Sequence, residues 1–299
     1  MMLLPWLERY QQQLSRLLNA QQLAHGLLLT GPSGIGKQQL AKWLVASLLC
    51  TSEHKPCGGC KSCLLLAAGS HADFLAVDSS GTTIGIDAVR QLSQFMHGRA
   101  QQQPNKVVLV SDADKLTEAA ANALLKTLEE PPQNSFIVLY CSSGSALPAT
   151  VISRCQQWQL AAEFSNNAND WLRQQTNRAV PDFLLTYCGG GPLKALALLE
   201  SGAADQLQAA LQHLTQYLQQ QLSLTDCVKQ LEQSEGLSQL LGWFLRRQLT
   251  LAANVSNPQR LLAIHQLYNR WCRDDSQILG QNKQLALSAF LIEFKRLHG

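Results

Sequence analysis

The 299-residue sequence is poor in charge: Asp, Glu, Lys and Arg together make up 15%, and the net charge is only +3. So small a surplus does not mark a nucleic-acid binder by itself, because such binding rests on many cations meeting phosphates. A basic run interleaved with aromatics is also missing, which speaks against a dedicated nucleic-acid module. No apolar run approaches the roughly 20 residues needed to cross a bilayer, so no membrane role is expected. The first ten residues carry Pro5, Glu8 and Arg9 and do not read as a signal peptide. A cytoplasmic protein is expected. Internal repeats are absent. The only biased tracts are Gln11–Gln13, Gln101–Gln103 and Gln219–Gln221, which read as solvated helix faces and loops.

What is present points to an ordinary packed protein. The apolar fraction is 46%, and the length suits two or three domains. Nine cysteines in an expected cytosolic chain argue for metal ligands or structural thiols over disulfides.

The chain is organised around Gly31-Pro32-Ser33-Gly34-Ile35-Gly36-Lys37-Gln38, which has the spacing of a phosphate-binding loop. The apolar run Leu27–Leu29 before it reads as a buried strand, and Leu40–Leu49 after it as a helix. Backbone N–H groups of such a loop cradle phosphate and the helix dipole adds to the pull. Lys37 is the residue that would reach terminal phosphates. The next position should carry a hydroxyl for magnesium, and here it is Gln38.

Further strands are expected at Asp73–Val77, Val107–Val110 and Phe136–Cys141. Helices are expected over residues 1–24, Ile86–His97, Thr117–Glu130 (Thr117 as cap, Pro131-Pro132 as stop) and Ala149–Arg154. Polar loops are expected at Gly98–Asn105 and Ser142–Ala146. Strands alternating with helices of about ten residues imply a parallel α/β sheet. From Asn166 the sequence reads as helical, with Gly189-Gly190-Gly191-Pro192 opening a new helix at Leu193. About five helices follow Gly202–Asp205, with turns near Ser223, Ser234, Asn257 and Asp274.

Three constellations carry chemistry. Cys50, Cys57, Cys60 and Cys63 follow C-x6-C-x2-C-x2-C, with Gly58 and Gly59 as turn residues. Four thiolates so spaced can close a structural zinc site, free thiols and an iron–sulfur cluster being the alternatives. Cys141, Cys155, Cys188, Cys227 and Cys272 sit among apolar residues and read as core. At the end of the third strand, Ser111 falls where a P-loop ATPase holds its magnesium Asp, and Asp112 where it holds its Glu. A one-residue slip would return Asp112 to the metal. With Gln38, both protein anchors for magnesium look lost, so slow or no hydrolysis is expected. Finally, Arg154 in Ser153-Arg154-Cys155 reads either as a surface residue paired with a carboxylate, or as an arginine finger for a neighbouring subunit.

Ala121-Asn122-Ala123-Leu124-Leu125-Lys126-Thr127-Leu128-Glu129-Glu130-Pro131-Pro132 resembles the signature of bacterial clamp-loader subunits of the AAA+ class. The Ser-Arg-Cys triplet, the four-cysteine insertion and Gly191–Leu196 match as well, so the resemblance covers essentially the whole chain. Within that family this sequence is similar to the stator type, on Gln38, Ser111, Pro5-Trp6-Leu7 and an end that falls where a motor subunit's tail would continue. The resemblance implies a RecA-like P-loop domain over 1–161 with a zinc insertion at 50–63, a helical lid at 162–202 and a helical collar at 203–299. It implies that Arg154 reaches ATP on an adjacent motor subunit (gamma or tau). Gly31, Gly34, Gly36, Lys37 and Lys194 would form a vestigial phosphate site, Lys194 standing where the family has a phosphate-sensing lid Arg. ATP binding by this chain is left open. The implied partners are the gamma/tau and delta subunits in a hetero-pentamer, with the sliding clamp and primed DNA reached through the complex. Membership of a DNA polymerase holoenzyme, a nucleotidyltransferase, follows from the same resemblance. Arg90 lies on the helix that lines the DNA chamber in this family, and reads equally as an ordinary exposed charge. The rival expectation is a self-sufficient ATPase of the motor type, with Asp112 working despite the substitutions.

Overall fold

Leu27, Leu28 and Leu29 are wholly buried and form the middle of β1 (Gly26–Thr30). A computed structural model describes residues 4–79, 81, 83–102, 105–142, 147–232, 234, 236–251, 258–277 and 282–298. In it β1 lies inside a five-stranded parallel sheet with β2 (Phe74–Val77), β3 (Lys106–Val110), β4 (Ser135–Cys141) and β5 (Gln156–Gln159), in the order β2-β3-β4-β1-β5. Leu28 pairs with Leu139, and Val108 with Ile137. Strands covered on both faces must be apolar throughout, which is why β1, β3 and β4 stand out as runs.

The helices of this unit are α1 (Glu8–Asn19), α2 (Lys37–Leu49), α3 (Lys61–Ala67), α4 (Ile86–His97), α5 (Glu118–Glu129) and α6 (Ala149–Ile152). After the sheet come α7 (Asn166–Gln175), α8 (Leu184–Tyr187) and α9 (Pro192–Glu200). The expected helix over 1–24 is shorter, with a 3-10 turn at Pro5–Leu7 before α1. The cap of α5 is as expected: the Thr117 hydroxyl accepts from the Ala120 amide at 3.2 Å. Val89, Leu92 and Met96 of α4 join Ala120, Leu124 and Leu128 of α5 in the core under β3 and β4. Of the expected polar loops, residues 103–104 and 143–146 lie outside the described ones.

The chain divides into two compact units, 1–196 and 197–299, and α9 runs through the division. The second unit holds α10 (Ala203–Leu218), α11 (Leu224–Leu231), α12 (Leu237–Leu251), α13 (Pro258–Gln277) and α14 (Lys283–His298). Phe244, Trp271, Phe290 and Phe294 pack together at its centre. Ser223 caps α11 and Ser234 lies between α11 and α12; Asn257 is outside the described residues. Asp274 marks no turn: α13 continues to Gln277. Its charges face solvent, while Trp271 and Asp275 both hydrogen-bond the Ser238 hydroxyl, at 2.9 and 2.6 Å, pinning the last turns to α12. Among the described residues no helix is long and apolar enough to cross a membrane.

Candidate functional site

The phosphate loop sits at the C-terminal end of β1, where ligands of parallel sheets bind. Four of its carbonyls are engaged by named donors. Lys37 Nζ donates to Gly31 O at 2.8 Å and Pro32 O at 2.9 Å, the Leu193 amide to Gly34 O at 2.9 Å, and the Trp6 indole to Ile35 O at 2.8 Å. Burial pulls the Lys37 ammonium below its ordinary range, and Cys141, Asp114 and Asp112 oppose that shift. Two glycines make the close packing possible. A Cβ on Gly34 (φ +78°) would come within 2.5 Å of the Lys194 amide, and one on Gly36 (φ +101°) within 2.7 Å of Leu4. So Gly31, Gly34, Gly36, Lys37 and the backbone of Lys194 do come together. Trp6 also meets Trp171 of α7 edge-on, with ring centroids 5.1 Å apart.

Asp112 lies in the left-handed region (φ +47°), and its carboxylate is held by Lys115 at 3.0 Å, which also donates to Ser79. Ser111 is buried, its amide bound to Val77 O at 2.9 Å. Gln38 and Ser111 both border a cavity of about 680 Å³ that Cys57 and Cys63 also line.

Arg154 is elsewhere. It precedes β5, whose Gln156 pairs with Leu27, so it lies at the N-terminal ends of the strands, opposite the phosphate loop at the C-terminal end of β1. The five residues of β1 separate the two by roughly 16 Å. Its Nε donates to Glu129 Oε1 at 2.7 Å, a second guanidinium nitrogen meets the same oxygen, and Nη1 donates to Thr150 O at 2.9 Å. Arg154 is thus paired with a carboxylate, as one of its two sequence readings has it, and it lies too far along the strands to serve its own loop. Arg90 is an exposed α4 residue paired with Asp87 at 3.1 Å.

The four cysteines converge, their sulfurs lying within 4.8 Å of one another. A tetrahedral ion about 2.3 Å from each sulfur needs them roughly 3.8 Å apart; Cys50 Sγ and Cys60 Sγ stand at 3.9 Å. Backbone amides of Ser52 and Cys57 point at Cys50 Sγ at 3.4 Å, and that of Cys60 at Cys57 Sγ at 3.3 Å, which favours thiolate. Hydrogen bonds from Thr51 draw the Cys60 thiol down to about 5, while burial pushes Cys63 up to about 12. An all-sulfur set of this shape could hold a metal ion. Of the remaining cysteines, Cys141, Cys155, Cys188 and Cys227 are buried, but Cys272 is only half-buried.

Several contributors escaped the sequence reading. Glu129 was seen only as part of a long signature. Ser62, His71 and Asp73, which brace the cysteine insertion, carry no sequence signal, since each is an ordinary polar residue until its partners are known.

A phosphate loop after the first strand, an interior one, of a parallel sheet in the order β2-β3-β4-β1-β5 defines a P-loop α/β protein, here extended by helices. Residues 6–164 match a family described as DNA polymerase III, delta subunit. A DNA polymerase III subunit delta' of Haemophilus influenzae is 39% identical over 208 residues, 68% of this chain but only 64% of that relative, just under two thirds of its length. A DNA polymerase III subunit delta' of Escherichia coli is 32% identical, covering 97% of this chain and 95% of its own. A crystal structure of a DNA polymerase III gamma subunit-related protein of Thermotoga maritima shares the fold, with TM-score 0.54, 19% identity, and coverage of 96% of this chain and 100% of that one. The chain belongs to the DNA polymerase III delta' family.

Proposed function

We propose that the chain is the stator-type subunit of a DNA polymerase III clamp loader, supplying Arg154 in trans to ATP on a neighbouring motor subunit. The observation that carries this is the place of Arg154. At the end of the strands opposite its own loop, its guanidinium is out of reach of a phosphate bound there, so any phosphate it meets must come from another molecule, with Glu129 and Thr150 O holding it meanwhile. The chain's own loop supports the other half of the reading. Lys37 is tied to loop carbonyls, Asp112 to Lys115, and Gln38 and Ser111 stand at the magnesium positions, so this chain contributes position and charge rather than hydrolysis. In this reading Gly31, Gly34, Gly36, Lys37 and Lys194 are a vestigial phosphate site.

Residues 1–161 act as the RecA-like domain, 162–202 as the lid and 203–299 as the collar. Leu285 and Ile292, exposed one heptad apart on α14, suit a helix face that meets other subunits. The partners are gamma/tau and delta subunits in a hetero-pentamer, which acts on the sliding clamp and primed DNA in the cytoplasm. By membership the chain belongs to a nucleotidyltransferase holoenzyme. Cys50, Cys57, Cys60 and Cys63 hold a structural zinc, supported by the all-sulfur set and, among the described residues, the absence of a fifth donor in the cluster.

The test is a loader reconstituted with motor and delta subunits, assayed for ATPase activity stimulated by clamp and primed DNA. Arg154→Ala should abolish the share of turnover contributed by the adjacent site, an arginine finger being worth about 10³-fold or more at its own site. Unchanged activity would remove the finger role. Magnesium-dependent turnover by the isolated chain would instead favour the self-sufficient ATPase.

A further inference from the structure

The cysteine insertion leaves the fold at the end of α2 and returns through α3, and a buried polar chain ties those two ends together. Ser62 hydroxyl donates to Leu49 O at 2.6 Å, and His71 Nε2 is 2.6 Å from the same hydroxyl oxygen. The direction of each bond is fixed by its neighbour. His71 Nδ1 accepts from the Asp73 amide at 3.1 Å, so the ring proton is on Nε2 and is donated to Ser62, whose own proton goes to Leu49 O. Asp73 is fully buried and its two oxygens accept the Gln101 and Gln102 amides at 2.7 and 2.8 Å. Leu49 precedes Cys50 and Ser62 precedes Cys63, the two buried members of the sulfur cluster. Every donor in the chain has an acceptor, so it holds one geometry.

We propose that Ser62 and His71 are positioning residues for the metal: they fix Cys50 relative to Cys63 before the ion arrives, so that only Cys57 and Cys60 need ordering on binding. This rests on the reading of the cluster as a zinc site. Neither residue touches the metal. A half-built site lowers the ordering cost that zinc binding otherwise bears, and residues standing behind ligands are commonly worth roughly 10–100-fold in affinity.

The experiment uses the full-length chain, stripped of metal and titrated with Zn²⁺ against a chromophoric chelator, and in parallel with Co²⁺. The wild type should take one ion and show the absorption of a tetrahedral all-thiolate cobalt site. Ser62→Ala and His71→Ala should weaken binding by roughly 10–100-fold while the cobalt bands at saturation keep their shape, because the four ligands are intact. His71→Gln, whose side-chain amide can still donate to Ser62, should recover most of the loss. Should His71→Ala fail to fold, Ser62→Ala and His71→Gln carry the comparison. Affinity unchanged in both variants, with thermal midpoints falling equally with and without zinc, would overturn the proposal and leave a brace for the fold alone. A wild-type chain that takes up neither ion would overturn the zinc reading itself, and the proposal with it.

Discussion

Replacing Trp6 tests how the phosphate loop is held. Trp6→Phe keeps an aromatic ring against Trp171 but removes the indole N–H, leaving Ile35 O buried without its donor. An orphaned buried acceptor costs about 1–3 kcal/mol. For a unit spanning residues 1–196, each kcal/mol lowers the thermal midpoint by about 2–4 °C, so a fall of roughly 4–8 °C is expected at the middle of that range. Trp6→Ala also loses the edge-to-face contact, about 0.5–1.5 kcal/mol, and opens a cavity beside Leu4 and Leu7, for a total of roughly 3–5 kcal/mol. Scanning calorimetry of the full chain reads both. A double-mutant cycle of Trp6→Ala with Trp171→Ala should give a coupling of about 0.5–1.5 kcal/mol. The reasoning fails if Trp6→Phe melts within about 1 °C of the parent, or if the cycle is additive.

Three further outcomes are expected. Lys37→Met should destabilise the nucleotide-free chain, because two loop carbonyls lose a charged donor worth about 1.5–3 kcal/mol each, offset in part by relief of the buried charge; a gain in thermal midpoint would show that burial cost dominates. Glu129→Gln should change stability by less than about 1 kcal/mol, since the pair with Arg154 is partly exposed, yet raise the ATPase of a reconstituted loader by freeing the guanidinium, and a fall would mean that Glu129 aims Arg154 rather than restrains it. In thiol titration of the metal-loaded chain, only Cys272 should react quickly; a chelator should add the four cluster cysteines. Cys155, Cys188 and Cys227, pushed up to about 11 by burial, stay slow, and rapid reaction of all nine before chelation would contradict the buried placement.

The sheet was legible where burial demands an apolar run, as at Leu27–Leu29 and Val107–Val110, and α5 was legible because Thr117 and Pro131-Pro132 bracket it. β5 was not. Its Gln-Gln-Trp-Gln lies at an edge, paired with β1 alone, so its composition looks like loop. Asp274 misled for a related reason: a charged cluster on the solvent face of a long helix has the composition of a turn. The sulfur cluster was legible because its ligands are close in sequence. What stands behind it, Ser62 with His71 and Asp73 with Gln101 and Gln102, is set by three-dimensional closure that periodicity does not carry. The same holds for Arg154: the triplet drew attention to it, but its partner Glu129 and its distance from the loop follow from strand order.

α2 has different chemistry at each end. It starts at Lys37 and ends at Leu49, about 20 Å along thirteen residues. Its last carbonyls have side-chain donors, Asn105 on Leu48 O at 2.8 Å and Ser62 on Leu49 O. Helices fray from unsatisfied ends inward, turn by turn. Loss of order in the insertion would take the Ser62 donor from Leu49 O and leave the last turn of α2 open to fraying, while buried Leu40, Leu44 and Leu48 hold the rest of the rod in the core. The two ends are thus insulated from one another: what happens at the thiols stops about one turn into the helix and does not reach Lys37. Amide exchange that quickens at residues 47–49 alone is the expected mark of a disordered insertion.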